Sequence, residues 1–111
     1  MIETKTANRK GNKMKNLDTK KRNATNNKLY EISKGLHIRI PLDDIFKAME
    51  ENNLIPLQED GTRWEGFLCG ATGSAHIDVF DNFIGQEVNC WLCLQWYRFD
   101  SGKYEVNAYI S

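Results

Sequence analysis

Residues 87–99 alternate polar and apolar side chains along a stretch rich in aromatic and branched residues, and residues 103–110 do the same. Between them stands Asp100-Ser101-Gly102. Two alternating runs joined by three residues, with glycine in the last place, specify a β-hairpin, because glycine enters the left-handed conformation there without strain. If Phe99 faces Lys103, then Leu92 faces Ile110, Leu94 faces Ala108, Trp96 faces Val106 and Arg98 faces Tyr104. Side chains alternate across a strand, so these pairs share one face. That face is almost wholly apolar and is expected to form the core, under a helix.

The opposite face holds Trp91, Cys93, Gln95, Tyr97 and Phe99 on one strand, and Lys103, Glu105, Asn107 and Tyr109 on the other. Large aromatics mixed with polar groups suit neither a core nor a plain solvent face. Cover by a loop or by residues 64–69 would account for them. So would a binding partner, since Trp and Tyr give large contact area at low entropy cost.

Upstream, residues 36–40 alternate as a half-buried strand and Pro41 ends it. Leu42, Ile45, Phe46 and Met49 form one apolar stripe at helical spacing, with Asp43 and Asp44 in the first turn, where the helix dipole favours negative charge. Asn52-Asn53 suits the helix end. Residues 54–57 are interrupted by Pro56 and read as an edge strand, Asp60-Gly61 as a turn, and residues 64–69 and 75–80 as two more strands. In the loop that follows, Phe83 and Ile84 are expected to tuck inward.

Charge divides the chain. Residues 1–34 carry ten basic and three acidic side chains, a net of +7, and residues 35–111 carry five basic and twelve acidic ones, a net of −7. Before residue 28 the only sizeable apolar side chains are Met1, Ile2, Met14 and Leu17. No period survives there, and such a segment buries too little surface to offset its ordering entropy, roughly 1–2 kcal/mol per residue. The expected organisation is a flexible, Lys/Asn-rich basic tail over residues 1–33 and one acidic domain over residues 34–111. With 111 residues and 41% hydrophobic composition, a single globular domain is expected. No run approaches the roughly 18 apolar residues of a membrane-spanning helix, and no apolar leader is visible.

Chemistry is sparse. Cys69, Cys90 and Cys93 make an odd number, which with no leader points to a reducing, cytoplasmic compartment. Cys90-Trp91-Leu92-Cys93 has the C-x-x-C form, but residues three apart on a strand face opposite ways and cannot share one ion. No metal and no cofactor is expected. His76 and Asp78 share a face, as a general base and its orienting acid would, yet no nucleophile can be assigned beside them. Gly70-x-x-Gly73 lacks the Lys-Ser/Thr end of a phosphate loop and reads as a turn.

The sequence therefore points to an α+β fold: an antiparallel sheet of about four to five strands with one helix packed on one face, preceded by a disordered basic tail. The expected function is that of a small non-enzymatic inhibitor or adaptor that binds another protein through Trp91, Gln95, Tyr97, Phe99, Glu105 and Tyr109. By analogy alone, small acidic α+β proteins of this size are common among toxin immunity proteins and the anti-defence proteins of phages, plasmids and bacterial accessory regions. A nucleic-acid-processing enzyme is one such partner, since an acidic surface can imitate a phosphate backbone. A homodimer is also compatible with the sequence. The alternative is a single-stranded nucleic-acid-binding module whose aromatic strands stack bases while Lys10, Lys13, Lys15, Lys20, Lys21 and Arg22 hold the backbone.

Overall fold

A computed structural model describes residues 15–58, 60–64 and 72–111. The hairpin forms from β4 (Gln86–Arg98) and β5 (Tyr104–Ile110), in the register the turn dictates: Leu92 with Ile110, Leu94 with Ala108, Trp96 with Val106 and Arg98 with Tyr104. Gly102 takes a φ of 92° and donates its N–H to the Phe99 carbonyl at 2.9 Å. β3 (Gly73–Asp81) pairs with the other edge of β4, β2 (Leu54–Leu57) lies outside β3, and β1 (Leu36–His37) lies outside β5. The order is β1-β5-β4-β3-β2, antiparallel throughout.

Local chemistry explains the rims. Pro56 has no N–H to give to a further strand, so β2 suits an edge, and the Pro56 carbonyl takes the Trp64 N–H at 2.8 Å. β1 is only two residues long, shorter than the strand expected over residues 36–40, because the chain leaves the sheet toward Pro41 and Ile38 is exposed. Gly73 opens β3 beneath an indole: a Cβ there would stand 3.0 Å from Cζ2 of Trp96. Residues 65–71, Cys69 among them, lie outside the described residues, as does most of the strand expected over residues 64–69.

The helix expected from the apolar stripe is α2 (Leu42–Glu50 in chain order after α1, Thr19–Ser33). Ile45, Ala48 and Met49 are buried, Leu42 and Phe46 pack against the core, and Asn53 takes a φ of 63° just beyond the helix. The expectation of one helix is corrected to two among the described residues. Residues 19–33, read from the sequence as tail, form α1, whose Asp18 cap accepts the Lys21 N–H at 3.0 Å. Thr25, Leu29 and Ser33 are buried along its inner face, and Leu17 just before it is buried too. The inner stripe is thus mostly small polar side chains, which leaves no apolar period to read. The rest of the expected tail, residues 1–14, lies outside the described residues.

α1 also completes the sheet. Trp91 and Ser111 exchange both backbone hydrogen bonds, at 3.2 and 3.0 Å. In the next pair the polar groups of Ile110 therefore point away from β4. β1 reaches along β5 only to Glu105. The Asn26 amide takes the missing place: Ile110 N–H donates to Oδ1 at 2.6 Å, and Nδ2 donates to the Ile110 carbonyl at 3.1 Å. One buried cluster joins Leu29 of α1 and Ile45 and Met49 of α2 to Ile77, Val79, Leu92, Leu94, Ala108 and Ile110 of the sheet. Both helices thus cover the same sheet face.

Candidate partner-binding face

Strand alternation builds the face opposite the helices. The pairings set its side chains in rows across the strands. Leu36, Glu105 and Tyr97 form one row, Asn107, Gln95 and Ser74 the next, and Tyr109, Cys93 and His76 a third. Trp91 and Asp78 lie in a fourth. Leu36, Trp91, Tyr97 and Phe99 are 58%, 46%, 51% and 37% exposed. The rings of Tyr97 and Phe99 meet edge to face with centroids 4.8 Å apart, and Asn107 Nδ2 donates to Gln95 Oε1 at 3.3 Å. These contacts hold the side chains in place before any partner arrives, which lowers the ordering cost of binding.

All six residues singled out for partner binding fall on this face. Trp91, Gln95, Tyr97, Phe99 and Glu105 are exposed, and Tyr109 is half-buried. Sequence reasoning missed Leu36 and Ser74 as members. Leu36 belongs to a two-residue strand whose register only the fold supplies. Ser74 follows from the pairing of β3, which no turn next to it announces.

The cysteines divide as strand geometry demands. Cys90 faces the helices, and burial pushes its thiol up to about 11, which keeps it protonated and a poor nucleophile. Cys93 faces the other way, is 4% exposed, and lies 3.5 Å from Ser111 Oγ. Electrostatic repulsion from Cys93, ahead of burial, raises the neighbouring Tyr109 phenol above its ordinary value. His76 pairs with Cys93, and Asp78 with Trp91, so the expected shared face of His76 and Asp78 is present. Among the described residues there is no group of three or more His, Cys, Asp or Glu side chains able to hold a metal ion.

The residues of the nucleic-acid alternative sit elsewhere. Lys10 and Lys13 lie outside the described residues. Lys15 and Lys20 are exposed, Arg22 is half-buried, and Lys21 is bound to the carboxylate of Asp81 at 3.0 Å. Lys20, Lys21 and Arg22 belong to α1, on the helix-covered side of the sheet, so they do not frame the aromatic strands. The expected inward packing of Phe83 and Ile84 is corrected: both are exposed, because the turn they occupy projects past the core. Among the described residues no helix is long and apolar enough to cross a membrane. No protein-family model matches the chain, and neither does any curated protein or solved structure.

Proposed function

We propose that the protein is a small non-enzymatic binding protein, an inhibitor or adaptor of the immunity or anti-defence type, that docks another protein on its outer sheet face. One observation carries the reading: Trp91 and Tyr97 stand substantially exposed on a thirteen-residue strand whose other face forms the core, with Phe99 exposed just past its end. Rigid aromatics on a regular strand are typical of the few residues that dominate interface energy. Gln95, Asn107, Glu105 and Tyr109 supply hydrogen-bonding groups around them. The acids of the domain, twelve against five bases over residues 35–111, suit a partner with a basic groove, such as an enzyme that handles nucleic acid.

The basic residues of α1 lie across the sheet from this face, which favours protein docking over base stacking on the strands. The test compares the wild-type chain with a Trp91→Ala/Tyr97→Ala variant as immobilised bait in host lysate. The expected result is a stoichiometric protein captured by the wild type and lost from the variant, which remains folded and melts only a few degrees lower. Capture of the same protein by both would refute the assignment of the face.

A further inference from the structure

The β3–β4 turn, residues 82–85, presents Phe83 at 79% and Ile84 at 42% exposure on a rigid mount. The buried Asp81 accepts the Phe83 N–H at 2.9 Å and binds Lys21 Nζ through both carboxylate oxygens, at 3.1 and 3.0 Å. Its carbonyl takes the Gly85 N–H at 2.8 Å, with Gly85 at a φ of 75°, and Asn82 N–H donates to the Asn53 carbonyl at 2.7 Å. Lys21 Nζ stands 5.5 Å from the centre of the Phe83 ring. A buried ion pair contributes little net stability. Here it fixes the shape of a turn whose two large side chains face solvent.

The exposed side chains beside the turn are mostly basic, with Asp18 at the α1 cap and the buried Glu87 on β4 as the further acids closest in the chain. Lys20 and Arg22 flank Lys21 on α1, and Lys15 runs beside the start of β4, its carbonyl accepting the Asn89 N–H at 2.9 Å. Glu50 and Glu51, at the α2 end that leads to Asn53, are already held by Arg63 and Lys28. Asp100 lies beyond the far end of β4, fourteen residues from Gln86.

We propose that this end of the molecule is a second binding site, for single-stranded nucleic acid. Phe83 is the stacking platform, Ile84 borders it, and Lys15, Lys20 and Arg22 meet phosphates. An aromatic ring stacks on any base, and base faces are free only where the strand is unpaired. The site is separate from the outer sheet face and stands or falls independently of it.

The test is fluorescence anisotropy of a fluorescein-labelled twenty-nucleotide oligothymidine with the full chain. Binding is expected at 50 mM salt, weakening roughly twentyfold at 200 mM as about three phosphate contacts are screened. Phe83→Ser should weaken binding about tenfold with the salt dependence kept. Phe83→Leu, which keeps the apolar bulk without the ring, should do the same and guards against a folding artefact. Lys20→Gln/Arg22→Gln should lower both affinity and salt dependence, whereas Trp91→Ala should bind as the wild type does. Absence of oligonucleotide binding at 50 mM salt, or wild-type binding by both Phe83 variants, would overturn the proposal. So would loss of binding in Trp91→Ala, or capture by phosphatidylglycerol-containing vesicles without capture of the oligonucleotide.

Discussion

Replacing Asn26 with alanine tests whether α1 is part of the fold rather than an appended tail. The amide makes two hydrogen bonds to Ile110, at 2.6 and 3.1 Å, and Ile110 is itself buried. A net hydrogen bond contributes about 0.5–1.5 kcal/mol, and a buried partner left unpaired costs about 1–3 kcal/mol. The site is partly buried, so water recovers some of that loss. Asn26→Ala should therefore cost about 2–3 kcal/mol, a large share of the roughly 5–15 kcal/mol that holds a domain together. Asn26→Asp keeps the acceptor for the Ile110 N–H but sets a carboxylate oxygen against the Ile110 carbonyl, and should cost at least as much. Urea denaturation followed by tryptophan fluorescence reads both, as a lowered midpoint at unchanged slope. A change below about 0.5 kcal/mol for Asn26→Ala, the range of an ordinary surface substitution, would refute the reasoning.

Three further outcomes follow from the packing. Thr25 is fully buried and its Oγ1 has no hydrogen-bond partner among the described residues, so Thr25→Val, nearly the same shape, should raise stability by about 1 kcal/mol in the same urea assay. Leu94→Ala should cost about 2–5 kcal/mol, whereas Trp91→Ala should cost about 1 kcal/mol, since the two face opposite sides of β4; comparable losses would mean that both faces are buried. The Cys90 thiol is raised from 9.0 to about 11, so folding favours its protonated form; that contribution is complete below pH 9 and is lost as pH rises toward 11. The loss should reach about 2–3 kcal/mol, and Cys90→Val should remove that part of the pH dependence in unfolding measured from pH 8 to 11.

What the sequence made legible follows from how each element is stabilised. The β4–β5 register could be read because Gly102 fixes the turn and the alternation fixes the faces. α2 could be read because Ile45 and Met49 lie on one stripe. α1 could not, because its inner face is Thr25, Asn26, Leu29 and Ser33. Hydrogen bonding to a distant strand edge and one buried leucine stand in for an apolar stripe. The Asp18 cap and Gly35, at a φ of 84° just past the helix, were the signals present. Phe83 and Ile84 misled in the opposite sense: apolar side chains in a short turn suggest burial, but the Asp81–Lys21 pair holds the turn beyond the core. The six residues of the candidate face were legible together because period-two alternation alone assigns them, whereas Leu36 needed the tertiary pairing of β1.

The central claim is that β4 folds the protein with one face and binds with the other. Site-specific photo-crosslinking in the living host tests it most directly, with benzoylphenylalanine placed at Tyr97 on the outer face and, in a second chain, at the still more exposed Tyr30 on α1. The account expects a discrete protein adduct from position 97 and none from position 30. An adduct from position 30 with none from position 97 would contradict it.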